Sequence, residues 1–449
     1  MFFASFFRFF RQYRIIFIRL GYTLFFLSLF RIGALITMPG IEWKENVDSS
    51  QNFFALISSL GGGILNRFSF FAIGISPFIT ASIITQLLSV GIFPFLANWV
   101  KQGRKGQIKL NYFTKILALP IGYLQALGTL IALENSQIVT INSFPLNVDL
   151  YKFFLCPMIL VAGTMVTLLL ADLISAKGIG QGTSIVIFAG ILASFSQQME
   201  QTVTTLFIKT SGAPLLLYNT IRFFVYLGGL SLIFALIIYL HNSERRLPIQ
   251  QTGTGLRLSN PQKSYLPIKL NPSGVIPVIF ASTLISFFGA VATIIKSGNP
   301  GSGYVLFVDN YLLLTSWSGI GVYASLVFIF TLIYAHIAFN SEQLASNFQK
   351  SGVYVAGIQG GNRTEQYVKR IVTRLSVFGG FFLSFLAIFS LILAKLLFPD
   401  IANSFVVSGT SLLILIIIGQ NIIYQIRDLR TQVRYINLKE TKKDIFLWK

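Results

Sequence analysis

Residues 67–88 read RFSFFAIGISPFITASIITQLL, a stretch long and apolar enough to enter a membrane. It nonetheless carries Ser76, Pro77, Thr80, Ser82, Thr85 and Gln86 inside the apolar run, with Gly61, Gly62 and Gly63 just ahead of it. A helix wholly in contact with lipid gains nothing from that polar content. A helix lining a space that sometimes holds water, or meeting a neighbour along a separable seam, has a use for it. The stretch therefore points to a membrane protein with an internal path.

Composition agrees. Hydrophobic residues make up 54% of the chain and charged residues 11%, against roughly 25% charged in a soluble domain. The mean hydropathy is +0.70. A lone Cys156 excludes an intramolecular disulfide and reads as a small buried hydrophobe. The 44 Phe, with abundant Ile, Asn and Lys, suggest an AT-rich coding genome.

Apolar runs near the ~20-residue spanning length give ten candidate helices, near residues 17–38, 70–94, 113–133, 151–172, 182–199, 216–240, 272–294, 312–338, 373–397 and 405–426. No cleavable signal peptide is evident. The Phe-rich start is broken by Arg8, Arg11, Arg14 and Arg19 and reads as an amphipathic surface segment. With both termini on one side and the loops alternating, that side holds 27 of the 35 Lys and Arg residues and the opposite side six. This asymmetry predicts an even number of spans with both ends in the cytosol or its equivalent. Most of these cations serve topology and contact with anionic headgroups. Binding of an acidic partner or ribosomal RNA is plausible only for two large loops on the same side.

Those loops, 241–271 and 339–372, are too polar to span and too long for simple turns. In the second, Ser341 and Glu342 followed by Leu344, Phe348 and a terminal Gly352 predict a short capped helix. Interleaved tyrosines, glycines and charges favour a docking surface over a linker.

At this point the residues resemble a known family. GISPFITASIITQLL at 74–88, GIGQGTSIVIFAG at 178–190, LPIKLNPSGVIPVIFAS at 266–282 and SGTSLLILI at 408–416 occur in order, with FRIGALITMPGI at 30–41 and the 339–372 loop also in place. Together they resemble the SecY family, the channel subunits of the Sec protein translocase, over nearly the whole chain. The resemblance implies an all-α polytopic membrane protein. Ten transmembrane helices would form two pseudo-symmetric halves, residues 1–200 and 201–449, around an hourglass pore with a plug helix. It implies a non-enzymatic channel that passes unfolded polypeptides across the membrane and releases membrane helices sideways, between the second and seventh spans. No cofactor or metal is implied. The implied partners are SecE, with SecG possible, a SecA motor or a translating ribosome, signal-sequence-bearing polypeptides and lipid, but no DNA.

Site residues follow by motif. The family's pore ring falls on Ile75, Ile79, Thr183, Ile187, Ile279 and Ile414. Isolated isoleucines at helical spacing ordinarily mean packing, and only the motif match assigns them to a ring. A ring of branched aliphatic side chains grips an extended chain without hydrogen bonding to it, and closed it dewets and resists ion flow. Thr183 departs from the aliphatic pattern. The plug falls on Leu60, Gly61, Gly62, Gly63, Ile64, Leu65, Asn66 and Arg67, and the lateral gate on Thr80 and Gln86 facing Asn271, Ser282 and Phe287. Polar contacts across that seam would be weak enough to part. The partner-docking loops carry Arg245, Arg246, Gln359 and Arg363. The family's GIRPG reads GIQGG here, so Gln359 stands where an arginine is expected and Gly360 where a proline is, and Arg363 is the nearest cation.

An ion-coupled solute transporter is the alternative. Such proteins need ionisable residues at mid-membrane, and the mid-span regions here hold no Asp or Glu, with Asp172 at a span end and Arg31 the one clear internal charge. An intramembrane enzyme is weaker, because His241 and His336 lack a nucleophile or metal partner nearby in sequence. The AT-rich bias, short length and degenerate loops point to a plastid-encoded protein of the thylakoid, with a bacterial plasma membrane as the alternative.

Overall fold

The computed structural model describes residues 13–43, 68–89, 93–135, 139–141, 148–203, 213–251, 265–299, 301–314, 316–355, 357–358, 361–397, 411 and 413–433. The chain is an all-α polytopic membrane protein with small β additions. Its main helices are α1 (Arg14–Leu35), α2 (Ser76–Ser89), α3 (Pro94–Lys101), α4 (Arg104–Asn135), α5 (Cys156–Lys177) and α6 (Gly182–Val203). They are followed by α7 (Ala213–Asn242), α8 (Ile276–Gly298), α9 (Trp317–Ala338), α10 (Ser341–Lys350), α11 (Asn362–Leu397) and α12 (413–433). Pro77, Pro94 and Pro277 lie in first turns, where a missing N–H has no intrahelical partner to lose.

Each of the ten predicted stretches carries a helix. Among the described residues seven helices are long and apolar enough to cross a membrane, and the pair α2–α3, bent by 94°, makes an eighth when taken as one span. α6 is a shorter apolar helix over Gly182–Ser196.

The stretch 67–88 is not one continuous helix. Residues 68–75 are turns and an isolated bridge, and the helix begins only at Ser76. Gly74 at φ 57° and Phe68 at φ 39° leave the right-handed region, and Pro77 follows at the helix start. The 14 residues of α2 reach about 21 Å at ~1.5 Å per residue, short of the ~30 Å hydrocarbon core.

Helices α1, α2, α4, α5 and α6 pack among themselves, as do α7, α8, α9 and α11. The two groups meet where α8 lies against α2 and α4. A single large apolar cluster draws on both groups, from Phe30 on α1 to Ile418 on α12. Asp172 near the end of α5 pairs with Lys115 of α4.

Both large loops are built into one small sheet. Strands β1 (Ile41–Trp43) and β2 (Val139–Ile141) pair with each other elsewhere. The loop sheet has β3 (Glu244–Gln251) between β4 (Tyr265–Lys269) and β5 (Val353–Val355), antiparallel to both. Leu247 and Ile268 from the sheet pack on Val368, Ile371 and Val372 of α11. The predicted capped helix is α10, with its cap one residue earlier than read: the Asn340 side chain accepts from the Gln343 N–H at 3.0 Å. Gly352 takes φ 62° just past its end.

Candidate functional site

Ile75 just before α2, Ile79 on α2, Ile187 on α6, Ile279 on α8 and Ile414 on α12 all lie in the same large apolar cluster. All five are buried, with exposures from 1% to 7%. Thr183 sits one turn before Ile187 on α6 and is half-buried. Ile79 follows Ile75 by one helical turn, with the Ile79 N–H donating to the Ile75 carbonyl at 3.1 Å. The cluster presents no hydrogen-bonding side chain from these five positions, which is the chemistry a sequence-indifferent grip requires.

The plug assignment, Leu60–Arg67, lies outside the described residues.

The gate residues are placed as follows. The Thr80 hydroxyl donates to the Ser76 carbonyl at 3.1 Å and accepts from Gln125 Nε2 at 3.2 Å, so it faces α4. Gln86 Nε2 donates to Ser82 Oγ at 3.0 Å, and its Oε1 is buried with no hydrogen-bond partner. Asn271 Nδ2 donates to the Gly274 carbonyl at 2.9 Å and Asn271 Oδ1 accepts from Ser273 at 2.5 Å. Ser282 donates to the Ile279 carbonyl at 2.9 Å. None of these bonds crosses from α2 to α8. The hydroxyls of Thr80 and Ser282, the Gln86 amide N–H and the Asn271 amide find their partners within their own segment or on α4.

What reaches across instead is Phe287, which packs against the small cluster of Ala81 from α2 and Ala118 and Ile121 from α4, on which Phe78 and Ile84 also rest. Farther along, a Cβ at Gly128 of α4 would lie 3.2 Å from the Ala290 carbonyl oxygen of α8 and 3.3 Å from its Cβ. Small residues permit that close crossing. Gln125 and Gly128 were missed in the sequence reading. A lone amide in the apolar run of 113–133 was the available signal for Gln125, while nothing in the sequence says which helix Gly128 approaches.

On the loop side, Arg245 and Arg246 are exposed on β3. Arg246 Nε lies 2.9 Å from Glu244 Oε1, and its guanidinium sits 4.8 Å from the Tyr265 ring centre. Arg363 is exposed in the first turn of α11. Gln359 and Gly360 lie outside the described residues. Lys269, on β4, has its Nζ 3.5 Å from His241 Nε2 and 4.9 Å from the Tyr424 ring centre. Burial lowers the Lys269 pKa, partly offset by Asp428 and Glu244. Tyr424 also donates to Asn242, so the base of the sheet is tied to the end of α7 and to α12. Among the described residues no group of three or more His, Cys, Asp or Glu could hold a metal ion.

The SecY family model matches residues 69–423. The chain is 38% identical over 432 residues to the protein translocase subunit SecY of Mycoplasma capricolum subsp. capricolum, covering 94% of this chain and 89% of that one. It is 36% identical over 409 residues to the protein translocase subunit SecY of Halalkalibacterium halodurans, covering 90% and 92%. Its fold is similar to a solved structure described as "The structure of a protein conducting channel", with a TM-score of 0.67 at 18% identity over 93% of each chain. It is also similar to "Sec61 in the Canine ribosome-channel complex from the endoplasmic reticulum", with a TM-score of 0.63 at 18% identity over 93% of each chain. The solute-transporter alternative finds no support among these relatives.

Proposed function

The chain belongs to the SecY family, and from that premise we propose that Ile75, Ile79, Thr183, Ile187, Ile279 and Ile414 form the constriction through which it passes polypeptides. The protein is a multi-pass membrane channel for polypeptides and not an enzyme. The observation that supports the ring is the burial of five of these six side chains, from four segments distant in sequence, within one large apolar cluster. Aliphatic walls at a narrow point exclude water and ions when the channel is empty. They also let any sequence slide past, since no side chain demands a hydrogen bond.

The expected outcome of Ile279→Asn is a wetted ring: more ion leak through reconstituted vesicles and acceptance of precursors with defective signal sequences. Unchanged leak together with unchanged rejection of those precursors would sink the ring assignment.

The lateral exit runs between α2 and α8 in this reading. Its apolar surface includes Phe287, packed against the cluster that holds Ala81 of α2, with Thr80, Gln86, Asn271 and Ser282 as the other gate residues. An apolar signal sequence would compete directly for that surface. Residues 60–67 are the plug, and residues 1–200 and 201–449 are the two halves, meeting where α8 lies against α2 and α4.

The exposed Arg245 and Arg246 on the loop sheet form part of the docking surface for a ribosome or a SecA motor, with SecE, and SecG where present, as companion subunits. A ribosome partner is supported by the Sec61 likeness and by a second solved neighbour, "Cryo-EM structure of idle yeast Ssh1 complex bound to the yeast 80S ribosome". Both termini face the cytoplasmic side. The bacterial relatives support a plasma membrane as the location. The thylakoid reading rests on AT-rich bias, short length and degenerate loops, which a bacterium with an AT-rich genome meets equally well. The DNA flanking the gene decides between them: a bacterial gene neighbourhood supports the plasma membrane, and a plastid one overturns it.

A further inference from the structure

The turn that precedes α2 is held more tightly than a connecting segment needs to be. Phe68, 1% exposed, is the one non-glycine residue with positive φ among the described residues, a conformation that costs ~1–3 kcal/mol and persists only where its surroundings over-determine it. The Met38 N–H donates to the Phe68 carbonyl and the Phe70 N–H to the Ile36 carbonyl, both at 3.1 Å, and Thr37 and Ser69 form an antiparallel bridge. The Phe71 ring stacks on Phe30 at 5.8 Å and 11°.

Two glycines complete the enclosure, and they differ in kind. A Cβ at Gly33 of α1 would lie 2.1 Å from Phe71 Cε2, the edge of a side chain. A Cβ at Gly163 of α5 would lie 2.0 Å from the Phe70 carbonyl oxygen and 3.0 Å from its carbonyl carbon. Both separations are far inside van der Waals contact, so a side chain at either position displaces the turn. Behind it, Ser69 and Ala72 are wholly buried and Ile73 is 2% exposed. Ile75, the first ring residue, comes five residues after Phe70, and the intervening chain is itself hydrogen-bonded, with the Gly74 N–H donating to the Phe71 carbonyl at 2.8 Å.

We infer that Gly163 is a positioning residue for the constriction: its bare Cα seats the Phe70 carbonyl, and that seat fixes where Ile75 and Ile79 enter the ring. The inference rests on the ring reading above. Packing alone would explain a buried turn. It would not explain why the turn is clamped from α1 and α5 together, by backbone bonds, a ring stack and two side-chain-free contacts, just before the first ring residue.

The test uses the full-length protein in vesicles, scored for ion leak and for passage of signal-defective precursors. Ile279→Asn is the control for the ring. Gly163→Ala is expected to raise leak at least about tenfold, the factor that ~1.4 kcal/mol of bias toward a displaced ring gives, and to pass the defective precursors. Gly33→Ala should do the same, and Phe71→Leu added to it should restore the seal, because that clash is with a removable ring. Substitutions at Phe70 should not restore Gly163→Ala, because that clash is with backbone. If Ile279→Asn leaks while both glycine variants seal as the parent does, the seat is overturned and the ring survives. If Ile279→Asn neither leaks nor passes signal-defective precursors, the ring reading fails first. Should Gly163→Ala not accumulate in the membrane, the Gly33→Ala pair decides: leak reversed by Phe71→Leu supports the seat, and no leak or unreversed leak overturns it.

Discussion

Gln125 and Thr80 show how a single buried amide divides its two ends. Nε2 reaches the Thr80 hydroxyl at 3.2 Å, while Oε1 is buried without a hydrogen-bond partner. An interhelical hydrogen bond in a membrane is worth ~0.6 kcal/mol on average, and an unpaired buried polar atom costs ~1–3 kcal/mol. Gln125→Leu should therefore leave thermal stability in detergent unchanged or slightly raised. Thr80→Val should lower it, because the amide then loses its one partner. A lower melting temperature for Gln125→Leu than for Thr80→Val would contradict this account. Thr80 was legible in the sequence as a polar residue in an apolar helix. Its direction was not, since a hydroxyl on α2 can face either neighbour and only the position of Gln125 on α4 decides which. The ring isoleucines were legible through their motifs, and five of the six positions fall in one large apolar cluster. Whether they form the seal is a separate matter, which the Ile279→Asn measurement addresses.

Among the elements, the crossing of α4 over α8 at Gly128 and Ala290 sets how closely the proposed exit can shut. Gly128→Ala needs the neighbour to give only a few tenths of an ångström, with contacts of 3.2 to 3.4 Å, and should behave as the parent. Gly128→Leu should hold the helices apart and let less hydrophobic signal sequences through. A series of signal sequences of graded hydrophobicity, measured by insertion efficiency, checks this; an unchanged threshold in the leucine variant argues against the crossing as part of the exit. Helix positions were readable from apolar runs because a membrane span needs about 20 such residues. The break of the second stretch was not, although Gly74 and Pro77 were visible in it. A run of apolar residues looks alike as helix or as buried turn, and the difference here is set by contacts from Ile36, Met38 and Gly163, up to about 95 residues away. The hydrogen bonds of the described gate residues stay off the α2–α8 boundary for a related reason. Serine and threonine in apolar helices bond back to their own carbonyls, so polarity in sequence does not by itself mean polarity across an interface.

For the whole molecule, the two ends of the described chain lie together: Arg430 Nε is 3.3 Å from the Tyr13 hydroxyl, with its guanidinium 5.6 Å from that ring centre. The loop calls were partly legible, in that polarity and length marked 241–271 and 339–372 as structured surfaces, but their union in one sheet was not, since strand pairing between distant segments leaves no local trace. Gln359→Arg, restoring the cation that the GIRPG pattern expects, should increase precursor transport driven by a matched SecA. Equal transport by variant and parent would show that this position does not couple the motor. The loop sheet also has a history imposed by the order of synthesis. β3 ends at Gln251 and can close its hairpin with β4 once Lys269 has been made, but Ile249–Gln251 must wait for Val353–Val355. About 100 residues separate those partners, which is roughly 5–20 s of elongation at ~5–20 residues per second. During that interval α8 and α9 are still being threaded into the bilayer, and the nascent hairpin stands with three unpaired backbone positions. The last strand to be made is the one that closes the sheet.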